Sequence, residues 1–149
     1  MAFKNVTVRE AHQKQTGGYT YVDVRSVPEF EAGHPAGAVN IPLLHRDART
    51  GQISPNAEFV QVLQATFPPD AKLLIGCQVG GRSAQAAQLL DNLGYQDVSN
   101  VLGGYGGARD PVTGAVRDEG WTQAGLPVES EAPDRTYEAV RAKCQEGGR

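Results

Sequence analysis

Residues 72–90 read KLLIGCQVGGRSAQAAQLL. Lys72-Leu73-Leu74-Ile75 is a short apolar run that predicts a buried strand, and Ser83 to Leu93 predicts a helix. Between them, Gly76-Cys77-Gln78-Val79-Gly80-Gly81-Arg82 is a turn with one thiol, three glycines and one guanidinium. A strand that feeds a glycine-rich turn opening a helix gathers several backbone N–H groups around one point. That point is the positive end of the helix dipole, where an anion is favoured. A cysteine at the mouth of such a turn supplies that anion as its thiolate, which makes Cys77 the candidate reactive group.

Outward from this turn, strand and helix signals alternate. Thr7-Val8-Arg9-Glu10 has capping-box spacing and predicts a helix to about Gln15, ended by Gly17-Gly18. Tyr19 to Val24, rich in β-branched and aromatic residues, predicts a strand. Ser26-Val27-Pro28-Glu29 is a second capping box, with Pro28 in the first turn where its missing N–H costs nothing, and Gly33 stops the helix. Ala38 to Ile41 predicts a short strand closed by Pro42. The polar stretch Leu43 to Pro55 reads as a surface loop. Ser54-Pro55 then reads as the start of a helix across Glu58 to Ala65, with Phe59, Val62 and Leu63 on one face.

After the Cys77 turn, Ala86, Leu89, Leu90 and Leu93 recur at helical spacing before Gly94. Val98 to Leu102 predicts a strand that ends in Gly103-Gly104. Residues 106–120 are glycine-rich and charged, with turn signals at Asp110-Pro111 and Thr113-Gly114. Trp121 to Val128 reads as a segment laid back over the core, and Arg135 to Cys144 as a tail helix with Tyr137, Val140 and Cys144 on one stripe. There is no internal repeat and no sign of a second domain. The alternation predicts an α/β fold with a parallel sheet covered on both faces, and ligands bind at the carboxyl ends of such strands. The Cys77 turn and Gly103-Gly104-Tyr105 both fall at such ends.

The totals exclude several classes. A chain of 149 residues with 40% hydrophobic and 21% charged residues can bury a core without disulfide staples. A net charge of −3 gives no support for nucleic-acid binding, and no apolar run approaches the roughly 18 residues that span a bilayer. Cys77 and Cys144 are too few for a disulfide framework and form no metal-ligand spacing with the three histidines. The opening residues Met1 to Asn5 lack the apolar core of a secretory signal, so a reducing, cytoplasmic location is the expectation.

Three separated motifs resemble the single-domain rhodaneses, the thiosulfate-type sulfurtransferases. The first is Asp23-Val24-Arg25 followed by Glu29-Phe30, Gly33-His34, Gly37-Ala38 and Asn40-Ile41-Pro42. The second is GCQVGGRS at 76–83, which is similar to the family's active-site loop, with four residues between Cys77 and Arg82. The third is Gly103-Gly104, then Trp121 and Gly125-Leu126-Pro127. Pro35 departs from the aliphatic residue usual after Gly-His, and the segment from Gly104 to Trp121 is longer than in compact members.

This resemblance covers about 5–128, with a helical tail at about 134–145, and implies a rhodanese-like, mostly parallel sheet of about five strands with helices on both faces. It implies that the Cys77 thiolate takes the outer sulfur of thiosulfate as a persulfide and passes it to cyanide, a small thiol or a protein thiol. No metal or organic cofactor is needed. The loop's physics agrees: the amides of Gln78, Val79, Gly80, Gly81 and Ser83 can point inward at an anion, and glycines at 80 and 81 avoid a Cβ clash. Arg82 offers a planar fork to the donor's oxygens.

Competing readings remain for the loop and its surroundings. A nucleotide P-loop would need lysine where Arg82 stands. A cysteine phosphatase or arsenate reductase places five residues between cysteine and arginine, a larger ring suited to a tetrahedral oxyanion. A non-catalytic binding module of the same fold is the third rival. Asp23 and Arg25 are either near the site in a supporting role or a structural ion pair involving Glu29. His34 is either a hydrogen-bonded turn residue or a base. His45, Arg46 and Arg49 either rim the pocket or form a solvated loop. Tyr105 lines the pocket or packs the core, and Trp121 anchors the returning segment. Cys144 is either a small buried hydrophobe or a resolving thiol.

Overall fold

The computed structural model describes residues 3–47, 49–79 and 81–147, with side chains to 144. Strand β1 (Lys4–Val6) leads directly into α1 (Val8–Thr16). The Thr7 hydroxyl accepts from the Glu10 amide at 3.1 Å and the Glu10 carboxylate accepts from the Thr7 amide at 2.8 Å, so the predicted capping box closes in both directions. Then come β2 (Thr20–Asp23) and α2 (Val27–Ala32). At the start of α2, Glu29 accepts from the Ser26 amide at 3.1 Å and the Ser26 hydroxyl at 2.9 Å. Two short strands follow, β3 (His34–Pro35) and β4 (Val39–Asn40).

The stretch expected as a loop at 43–55 is an antiparallel hairpin of β5 (Leu44–Arg46) and β6 (Ile53–Pro55). Its turn is built by Asp47, whose carboxylate accepts from the amides of Arg49 at 2.8 Å and Thr50 at 2.9 Å. Ser54-Pro55 therefore completes a strand and does not open a helix. Helix α3 (Phe59–Thr66) starts later, with the Asn56 side chain accepting from the Glu58 amide at 3.0 Å.

Next are β7 (Lys72–Gly76), α4 (Gly81–Asn92) and β8 (Asp97–Val101). Leu93 falls beyond the end of α4 and is exposed, off the expected stripe. Residues 106–120 fold into a second hairpin of β9 (Ala108–Arg109) and β10 (Val116–Asp118). The chain closes with β11 (Val128–Glu129), paired to β3, and α5 (Tyr137–Gly147).

The main sheet is five-stranded and parallel in the order β1-β8-β7-β2-β4. Strand β1 carries no readable signal, because three residues are too few to show a pattern and only pairing with β8 defines it. Alternate strand residues serve opposite faces. Val22, Leu73 and Ile75 pack with Phe59, Leu63, Ala86, Leu90, Tyr137 and Val140 from α3, α4 and α5. Tyr21 and Leu74 pack on the other face with Val8, Ala11, Phe30 and Trp121. The sheet is thus covered by helices on both sides. Trp121 is fully buried, donates its indole N–H to the Pro127 carbonyl at 2.7 Å, and meets Tyr21 edge-on, fixing the returning segment.

Candidate active site

Strand β7 ends at Gly76, and Cys77 follows at the carboxyl edge of the sheet, only 1% exposed. A Cβ on Gly76 would stand 1.9 Å from the Tyr21 hydroxyl, so the strand reaches the site only as glycine. Ser83, in the first turn of α4, donates its backbone N–H to Cys77 Sγ at 3.3 Å, and its hydroxyl oxygen also lies 3.3 Å from that sulfur. The Ser83 hydroxyl donates onward to Asn100 Oδ1 at 2.6 Å, and Asn100 Nδ2 donates to Asn5 Oδ1 at 3.0 Å. The sulfur therefore sits at the amino end of a twelve-residue helix, where partial positive charge gathers.

The backbone of Cys77 is held from the other side by the segment after β8. Its carbonyl accepts from the Tyr105 amide at 2.7 Å, and the Gln78 carbonyl from the Gly106 amide at 2.9 Å. Gly104 has φ +56°, and a Cβ there would meet the Cys77 carbonyl oxygen at 2.2 Å. Gly104 is thus required twice, by its conformation and by the close approach.

Arg82 stands in the first turn of α4, next to Ser83. Its fork is filled by the Glu29 carboxylate, with contacts of 2.8 and 3.1 Å, and does not stand open toward the loop. Burial pushes the Glu29 carboxyl up, but hydrogen bonds from Arg82 and Ser26 outweigh this and hold it down at about 2. The Glu29 bonds in turn raise the Arg82 guanidinium further. Ser26, Glu29, Leu44, His45, Arg46 and Arg82 share the lining of a cavity of about 220 Å³, which brings Arg46 to Arg82.

Asp23 and Arg25 form a buried ion pair at 2.8 Å, both at most 3% exposed at the side chain. Glu29 is hydrogen-bonded to Arg82 and not to this pair, although its charge still raises the Arg25 guanidinium. Arg25 also donates to the Gly33 carbonyl at 2.7 Å and to Gln78 Oε1 at 3.2 Å, and lies 4.3 Å above the Tyr105 ring. Gln78 and Tyr105 are therefore tied to Arg25 beneath the loop. Val79 is 53% exposed at the loop tip. Gly80 lies outside the described residues. Gly81 begins α4, and among the described residues nothing stands within 4 Å of a Cβ built there, so the expected clash does not arise at that position.

The remaining candidates separate. His34 is buried, with Nδ1 2.7 Å from the Phe30 carbonyl and Nε2 3.0 Å from Glu129, as a hydrogen-bonded turn residue would be. Cys144 lies 3.4 Å from the Thr66 hydroxyl in a larger cavity of about 590 Å³ that includes Thr20, where β2 begins. Cys77 is at the opposite end of the parallel sheet, which leaves Cys144 no place as a resolving thiol. Among the described residues, no group of three or more His, Cys, Asp or Glu side chains could hold a metal ion. Asn100 and Asn5 escaped sequence reading, although an amide inside the apolar run Val98-Ser99-Asn100-Val101 is a signal that could have found the first.

Comparison with known proteins fits this architecture. The family model described as "Rhodanese-like domain" matches residues 7–109. Thiosulfate sulfurtransferase 16, chloroplastic, of Arabidopsis thaliana is 32% identical over 126 residues, covering 85% of this chain and 92% of that protein. Protein HIGH ARSENIC CONTENT 1, mitochondrial, of the same plant is 30% identical over 128 residues, covering 86% of this chain and 64% of that protein. Two further curated relatives are longer, and the chain spans 60% of each. Among solved structures, Rv0390 from M. tuberculosis superposes with a TM-score of 0.72 at 25% identity, over 88% of this chain and 100% of that one. The chain belongs to the rhodanese-like domain family, and it has relatives named as sulfurtransferases.

Proposed function

We propose that this protein is a sulfurtransferase that carries a sulfane sulfur as a persulfide on Cys77, from thiosulfate or a related donor to cyanide, a small thiol or a protein thiol. The observation that carries the reading is the Ser83 amide aimed at Cys77 Sγ from the first turn of α4. It is a donor fixed in place before any charge develops, and removing one such donor costs about 3 kcal/mol of transition-state stabilisation. Four residues between Cys77 and Arg82 make a ring sized for one sulfur atom more than for a tetrahedral oxyanion.

The steps balance without a cofactor. The Cys77 thiolate attacks the outer sulfur of thiosulfate, a Cys77–sulfur bond forms, and the donor's sulfur–sulfur bond breaks with its electron pair leaving on sulfite. The acceptor's nucleophilic atom then attacks the terminal sulfur, and the pair of the breaking bond returns to Cys77. Arg46 and Arg82 in the 220 Å³ cavity supply positive charge for the sulfonate oxygens, though Arg82 must first share its fork with Glu29. Asp23, Arg25, Gln78 and Tyr105 support the loop from below. A reducing compartment such as the cytosol suits this chemistry, and subcellular fractionation of the tagged protein tests that location.

Intact-mass measurement after thiosulfate tests the function. One added sulfur, lost on addition of cyanide with release of thiocyanate and absent in Cys77→Ser, is the expected result. Sulfur transfer that survives Cys77→Ser overturns the mechanism. Arsenate reduction or phosphate-ester hydrolysis with no sulfur adduct assigns the loop to the oxyanion chemistry instead, and no reaction at all assigns it to binding.

A further inference from the structure

Cys77, Ser83, Asn100 and Asn5 form a continuous polar chain from the buried sulfur to the edge of the sheet. The first three are at most 3% exposed, whereas Asn5 on the edge strand β1 is exposed. Strand register assembles the chain: Asn5 stands opposite Asn100 across β1 and β8, and Asn100 opposite Ile75 across β8 and β7, two residues before Cys77.

The direction of these bonds decides what they do to the sulfur. A carbonyl oxygen only accepts, so the proton in the 2.6 Å contact between Ser83 Oγ and Asn100 Oδ1 is the hydroxyl's. A hydroxyl has one proton. Toward Cys77, at 3.3 Å, Ser83 Oγ is therefore the acceptor and the thiol S–H the donor. That direction suits a thiol and opposes a thiolate or persulfide anion, toward which the Ser83 hydroxyl must be a donor, as the Ser83 amide already is. A half-turn of both amides reverses it: Asn5 Nδ2 donates to Asn100 Oδ1, Asn100 Nδ2 donates to Ser83 Oγ, and the hydroxyl turns to the sulfur. Either direction keeps the three links bonded.

We propose that Asn100 is a positioning residue for the Cys77 sulfur: the turn of its amide sets whether Ser83 accepts from the thiol or donates to the anion. Asn5 holds the far end of the chain. On ionisation the Cys77 S–H bond breaks, the electron pair stays on sulfur, the proton passes to water, and the chain reverses. This rests on Cys77 being the reacting thiol of the proposed transfer. Among the described residues, the other charged and titratable groups near the sulfur are Arg82, paired with Glu29, and on the β2 side Tyr21 and the Asp23–Arg25 pair. Arg82 acts on it through charge, whereas Asn100 acts through the direction of one hydroxyl.

The test is the pH dependence of Cys77 alkylation by iodoacetamide, read by peptide mass so that Cys144 does not contribute. It needs no sulfur transfer, so it can succeed or fail independently of the sulfurtransferase reading. Asn100→Asp presents only acceptors and pins the hydroxyl away from the sulfur. Its alkylation midpoint should move to higher pH, with a rate at neutral pH about tenfold lower. Asn5→Asp, on the exposed edge, pins the chain the same way from one residue further out and should give a smaller slowing in a chain that folds normally. In a Ser83→Ala background both effects should fall below about twofold, since the hydroxyl that transmits them is gone. Equal slowing with and without Ser83 would mean simple charge repulsion and overturn the proposal, as would an unchanged pH profile in both aspartate variants.

Discussion

Arg82 and Glu29 meet through two hydrogen bonds of 2.8 and 3.1 Å, which tie the end of the Cys77 loop to the residue that caps α2. The guanidinium nearest the reactive loop is thus already neutralised, and an anionic donor competes with Glu29 for it. Glu29→Gln should lower the KM for thiosulfate by about threefold while leaving kcat within twofold, as expected for a partly exposed ion pair. Steady-state kinetics decide this. A raised KM would mean that Glu29 holds Arg82 in its working place.

The same carboxylate gives a pH signature. Its pKa in the fold is about 2, against an ordinary glutamate value of 4.5, so the folded state favours the charged form. The stability this contributes is present above pH 4.5 and is lost as pH falls from there toward 2. Urea unfolding across that window should fall less steeply for Glu29→Gln than for wild type. Parallel curves would show that Glu29 contributes nothing there.

Gly104→Ala should disable the loop. Its Cβ would press on the Cys77 carbonyl oxygen at 2.2 Å in addition to the strain of φ +56°. A loss of at least about 2 kcal/mol is expected, together with loss of persulfide formation. Gly125→Ala is the control: its φ is +72°, but among the described residues nothing stands within 4 Å of the added carbon. That variant should show only the conformational cost of roughly 1 kcal/mol and keep its activity.

Removing one side of the buried Asp23–Arg25 pair leaves the other charge uncompensated. Asp23→Ala should cost about 3–5 kcal/mol, and pairing it with Arg25→Met should recover much of that. Chemical denaturation of the two single variants and the double variant reads this directly. Equal losses in Asp23→Ala and the double variant would refute the assignment.

Tyr21→Phe should stabilise the protein by about 1 kcal/mol, because among the described residues the buried Tyr21 hydroxyl has no hydrogen-bond partner. A lower melting temperature would reveal a partner for that hydroxyl. Cys144→Ser should leave persulfide formation and turnover within twofold of wild type, since Cys144 lies at the other end of the sheet; a larger loss in either would restore the resolving role.

What could be read from local residues alone is the short-range chemistry. Two capping boxes, the apolar runs before Cys77 and Gly103, and the glycines that let the chain turn all act over a few residues, so α1, α2, β7, β8 and the thiol-bearing turn were legible. The hairpin at Leu44–Pro55 was not, because its turn depends on one aspartate binding amides that composition does not reveal. Tertiary structure alone decided the direction of Arg82, the company of Asp23 and Arg25, the separation of the two cysteines, and the chain from Cys77 to Asn5. Apart from the Asp23–Arg25 pair, whose members are two residues apart, each of these relationships involves segments far apart in the sequence. Their chemistry is set by sheet register and by which side chain reaches a partner first, and neither is encoded in local spacing.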